Sequence, residues 1–185
     1  MDEEIPLITT ARTVLRTDFF KTRERPSTQS LWVRYTNTVN DPRIDAAFLD
    51  PLDSKKGYFG LTFHYIIRTN GHIEIGRDPK TISSVGKRHL QPSQIVIGIV
   101  GGLSLGVSGP SPAAKRHPSD ISVQQAANET PEQEAALEWL MQALADTLMV
   151  PLEVTDDREY LRSGKHLETE EPPDENGDPI FDEDE

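Results

Sequence analysis

The sequence predicts an α/β fold in which a mixed central β-sheet is flanked by helices. Three observations carry this expectation. Residues 61–75 alternate in the manner of an antiparallel hairpin, residues 94–100 are a continuous β-branched run, and a capped amphipathic helix opens at Thr130.

Taken in order, residues 1–29 are mixed in character, and Pro26, Ser27 and Thr28 form a turn into the first clear strand. That strand, Leu31-Trp32-Val33-Arg34-Tyr35-Thr36, is rich in β-formers. Residues 40–57 contain Pro42, Pro51 and Gly57 around a short apolar stretch at 46–49, which reads as a loop with one helical turn. In the hairpin, Phe63, Tyr65 and Ile67 alternate with His64, Ile66 and Arg68. Asn70-Gly71 is the dipeptide of a type I′ turn, and His72-Ile73-Glu74-Ile75 returns antiparallel. The run at 94–100, closed by Gly101-Gly102, suits a central strand covered on both faces. Residues 103–129, rich in Gly, Ser, Pro and Ala, read as a long loop. Thr130-Pro131-Glu132-Gln133 then combines an N-cap, a proline at the first helical position and a capping box. Leu137, Leu140, Met141, Leu144 and Leu148 place one apolar stripe on that helix, facing the sheet. The helix stops before Pro151, and Leu152-Glu153-Val154 reads as a last short strand.

The 185 residues are long enough to bury a core, and the divisions read from them are an N-terminal extension (1–29), one domain (30–163) and an acidic tail (164–185). From His166 onward there are ten acids and no Lys or Arg. Removing those ten from the 31 acids leaves 21 against 19 bases, so the net charge of −12 belongs mostly to the tail. Such a tail cannot bury enough surface to offset its ordering entropy and reads as disordered. Neither part offers the basic surface that nucleic-acid binding requires. The absence of cysteine excludes disulfides and thiolate-ligated zinc. The acidic N-terminus lacks the apolar core of a secretory signal, and the run at 95–100 is too short to span a bilayer.

Phe63-His64-Tyr65-Ile66-Ile67, a polar turn with Gly71, and Ile73-Glu74-Ile75-Gly76-Arg77-Asp78 resemble the hairpin signature of the zinc N-acetylmuramoyl-L-alanine amidases. That family includes phage amidases traditionally called lysozymes and the peptidoglycan-recognition proteins. Leu31-Trp32-Val33 matches its first-ligand strand, residues 95–102 its central strand ending in Val-Gly-Gly, and the helix from Thr130 its final long helix. The resemblance covers roughly residues 30–160 and implies an amidase or peptidoglycan-recognition fold. It implies zinc-assisted hydrolysis of the bond between N-acetylmuramic acid and L-alanine, which needs three protein ligands and an open position.

The chain departs from that pattern at each ligand. The first family histidine falls at Arg34, and the second at Thr155 or Asp156. The third falls within residues 158–165, which hold neither Cys nor Asp. The family's tyrosine before the hairpin histidine is Phe63 here. A guanidinium where a dication should sit repels zinc and can occupy its place. The expectation is therefore an amidase shape without metal, with a vestigial groove lined by Arg34, Phe63, His64 and Asp156. Against that groove stands the plainer reading of His64 as a packed residue and of Asp156-Asp157 as a solvated strand end. Arg77-Asp78 reads as structural. Lys87 with Arg88, and Lys115 with Arg116, are candidate docking residues, although basic triplets usually belong to solvated surface.

Functionally, the resemblance implies a degenerate phage amidase-like protein that binds rather than hydrolyses. Its implied partners are a phage RNA polymerase or virion proteins, with residual peptidoglycan binding, and its place is the host cytoplasm or the virion. Two other readings stay open: a working peptidoglycan hydrolase with ligands elsewhere, and an inhibitor whose acidic tail mimics nucleic acid.

Overall fold

The computed structural model describes residues 5–11, 15, 23–85, 91–107 and 121–163. Among these, the strands are β1 (Ile8–Thr10), β2 (Ser30–Tyr35), β3 (Thr38–Val39), β4 (Tyr65–Ile67), β5 (Ile73–Ile75), β6 (Gln94–Ile99), β7 (Gly102–Val107), β8 (Ile121–Gln125) and β9 (Glu153–Asp156). The helices are α1 (Ala46–Lys55), α2 (Pro131–Leu148) and α3 (Arg158–Arg162). Six strands form the main sheet in the order β1-β5-β4-β6-β2-β9, in which the β4–β5 pair is antiparallel and the others are parallel. This is the mixed sheet that the sequence predicts.

The β-branched run occupies the middle of that sheet as β6, and every residue of it is buried. Alternation along β2 divides the core in two. Leu31, Val33 and Tyr35 join Ile95, Ile97 and Ile99 beneath Ala136, Leu137 and Leu140 of α2. Trp32 points the other way and joins Val96, Ile66, Phe63 and Leu49 on the side of α1. The full capping box at Thr130 and Gln133 starts α2, and Gln133 Nε2 also donates to the carbonyls of Ile67 and Val100.

Four sequence expectations change. Residues 46–55 form a ten-residue helix despite Pro51, rather than a single turn. Asp45 caps it from its own chain, and the buried Glu74 accepts from the Ala46 N–H at 2.9 Å. Asp50 and Asp53 then hold the backbone N–H groups of Leu61 and Thr62. Tertiary hydrogen bonds outweigh the helix-breaking tendency of one proline.

The hairpin turn is not type I′, because Gly71 (φ 75°) has positive φ and Asn70 does not. Bonds from Gly71 N to Arg68 O and from Arg68 N to His72 O define a three-residue loop with the glycine last. A side chain at Gly71 would also meet the Glu132 carbonyl at 2.7 Å.

Residues 103–129 are not all loop. Strands β7 and β8 pair antiparallel and join β3 in a second, three-stranded sheet. The missed signal is the period-2 spacing of Leu103, Leu105, Val107 and Ile121, Val123.

The stretch read as an N-terminal extension also contributes to the domain. Strand β1 extends the sheet beside β5, and Leu15 is buried in the α1-side core. The acidic tail lies outside the described residues. Among the described residues, no helix is long and apolar enough to cross a membrane.

Candidate functional site

The site forms where β2 and β9 end, on the face of the sheet toward α1. Arg34 and Trp32, two residues apart, project together on that face. The Arg34 guanidinium lies over the Trp32 ring, 4.6 Å from its centroid, within cation–π range. The Trp32 indole N–H donates to Asp157 Oδ2 at 2.6 Å. Arg34 is in register with Gly98 of β6. A Cβ at Gly98 would lie 2.6 Å from the Phe63 ring, so the glycine lets that ring pack directly on the sheet.

The four residues of the expected groove are not assembled together. Phe63 is buried in the α1-side core, and His64 is fully buried. Val96 N–H donates to His64 Nδ1 at 2.9 Å, and Nε2 faces the Thr81 carbonyl at 2.9 Å. Nδ1 therefore carries no proton, and Nε2 donates. Burial, reinforced by the charges of Arg25 and Arg77, pushes the imidazole down to about 3 despite the opposing Thr81 bond. His64 is a neutral strut between strands, with both nitrogens occupied.

Asp156 faces the opposite side of the sheet. It is in register with Val33, whose side chain belongs to the α2-side core, and parallel partners in register share a face. There its carboxylate takes a bidentate contact from Arg158, with Nε to Oδ1 at 2.9 Å and a terminal nitrogen to Oδ2 at 2.7 Å. The acid on the Arg34 side is Asp157, one residue later. Strand parity, applied to the paired aspartates, is the signal that would have found it.

Arg158 anchors a chain of charges behind the site. It also pairs with Glu134 of α2, and Arg162 bridges Glu134 and Glu129, which accepts from the Tyr35 hydroxyl. Burial works against the Arg158 charge, but Asp156 and Glu134 outweigh it and hold the guanidinium above its ordinary range. Burial and then the Glu129 bond raise the Tyr35 phenol. Arg77 is structural, as expected, and donates to the carbonyls of Ile82, Phe59 and Leu61.

These side chains do not fit zinc. A guanidinium stands where the resemblance places the first ligand, Asp156 is engaged by Arg158, and Asp157 is engaged by Trp32. Among the described residues, no group of three His, Asp or Glu side chains gathers to hold a metal. Lys87, Arg88, Lys115 and Arg116 lie outside the described residues. A separate cavity of about 450 Å³ opens between Leu7, Gly71 and Ala136, on the α2 side.

No family model matches the chain, and no curated protein sequence matches it. Solved structures do. The N-acetylmuramoyl-L-alanine amidase LysC from Clostridium intestinale URNW superposes with a TM-score of 0.57, at 16% identity over 85% of each chain. The endolysin amidase LysCS from the same organism gives 0.54, at 17% identity over 86% of each chain. Drosophila peptidoglycan recognition protein SD gives 0.53, at 14% identity over 85% of each chain. The chain therefore has the fold shared by N-acetylmuramoyl-L-alanine amidases and peptidoglycan recognition proteins.

Proposed function

We propose that this chain is a binding module on an amidase fold, that it does not carry out the amidase reaction, and that its ligand is peptidoglycan or a fragment of it. The observation that carries the reading is Arg34 stacked on Trp32 where the resemblance requires a metal-binding histidine. A fixed cation there can attract a ligand's negative or carbonyl oxygen, but it cannot activate a water as a zinc ion does. The hairpin histidine offers no substitute base, because burial and two hydrogen bonds keep it neutral and inaccessible. Similarity in fold to proteins named for recognising peptidoglycan supports the choice of ligand.

The test combines three measurements on the full chain. Metal analysis of protein purified with added zinc is expected to show no stoichiometric metal. Peptidoglycan incubated with the protein is expected to release no peptide, with or without chelator. Sedimentation with purified sacculi is expected to carry the protein into the pellet. Chelator-sensitive release would establish a hydrolase instead, and protein left wholly in the supernatant would remove the ligand assignment.

A further inference from the structure

We propose that Arg34 is a receptor for a carboxylate group on the ligand; the choice of ligands below rests on the peptidoglycan reading, and the receptor itself rests on geometry. The contrast among arginines carries the inference. Arg25, Arg68 and Arg77 spend N–H groups on backbone carbonyls, and Arg43, Arg158 and Arg162 pair with carboxylates. Arg23 stands exposed in solvent, whereas the half-buried Arg34 has only the Trp32 ring, and among the described residues no carboxylate pairs with it. Asp157 shares that ring but forms no ion pair with Arg34, and one of its oxygens is taken by the indole N–H.

The consequences are chemical. Stacking holds the planar guanidinium at one orientation, so less freedom is lost when a ligand binds. Its fork of donors suits the two oxygens of a carboxylate, and such charge-assisted bidentate pairs are stronger than neutral hydrogen bonds. Gly98 stands beside Arg34 across the strand pair, and the Phe63 ring covers that glycine, so one flank is apolar. An apolar flank strengthens the attraction by lowering the local dielectric.

Two carboxylates of peptidoglycan share this chemistry. One is the lactyl group of muramic acid once its peptide has been removed, and the other belongs to the stem peptide. Calorimetry on the full chain with N-acetylmuramic acid, N-acetylglucosamine and alanyl-glutamate separates them. N-acetylglucosamine has a similar ring without the lactyl carboxylate. At least one of the two acids is expected to bind, with quenching or a shift of tryptophan fluorescence, while N-acetylglucosamine does not. Arg34→Gln is expected to weaken that binding by about tenfold or more, and Arg34→Lys to recover part of it. Unfolding midpoints of both variants, expected near that of the parent chain, show that the loss is not misfolding.

Binding of muramic acid points to stripped glycan, and binding of the dipeptide to the stem; either supports the receptor. Failure of both acids to bind, or full binding by Arg34→Gln, overturns it. Carboxylate binding without sacculus sedimentation would remove the peptidoglycan reading and leave the receptor standing. Sedimentation without carboxylate binding would do the reverse.

Discussion

Trp32 and Asp157 are joined by a 2.6 Å hydrogen bond from the indole N–H to the carboxylate, which ties the interior strand β2 to the chain leaving β9. Trp32 is only 5% exposed, so this N–H depends on its protein acceptor. Asp157→Ala leaves it unsatisfied and is expected to lower unfolding free energy by about 1–3 kcal/mol. Asp157→Asn, which keeps an acceptor, should cost less. Urea denaturation of the two variants reads the difference; equal losses would mean that the bond is not what matters at Asp157.

Removing the guanidinium at Arg158 should be among the most damaging single changes. Its side chain is 2% exposed, and the substitution strands Asp156 without its cation and leaves Glu134 only Arg162. Breaking a buried pair in this way costs about 3–5 kcal/mol, and the partial exposure of both acids points to the lower end. A double-mutant cycle of Arg158→Met with Asp156→Asn should show strong coupling, and additive losses would refute the pairing.

His64 makes stability depend on pH. Its folded value is about 3 against an ordinary 6.5, so between those limits only the unfolded chain takes up the proton. The contribution is complete above pH 6.5 and is lost as pH falls toward 3. Between pH 7.5 and 5.5 this one group should cost the fold about 1.4 kcal/mol. In urea titrations at those two pH values, His64→Gln should lack this increment relative to the parent chain. An unchanged pH slope would show that the imidazole protonates within the fold.

Gly98→Ala tests how closely the Phe63 ring approaches the sheet. The added carbon would lie 2.6 Å from the ring, and such overpacking costs about 1–3 kcal/mol. Phe63→Leu in the same chain should return part of the loss. A Gly98→Ala protein with a parental melting temperature would mean that the ring moves freely.

Local chemistry alone determined much of this protein. Alternation around Phe63 to Ile75, the β-branched run of β6 and the capping box at Thr130 each specify their element within a few residues, because the signals are local. They do not order the sheet, which is decided by pairing between distant strands. Other features depend on partners distant in sequence. Helix α1 survives Pro51 because Glu74, Leu61 and Thr62 reach it from other segments. Position 34 is legible as an arginine in place of a histidine, but the sequence does not say that it lies on Trp32. Nor does it say that the acid facing it is Asp157 rather than Asp156. That choice is made by the register of β9 on β2, since a one-residue step along a strand moves a side chain to the other face.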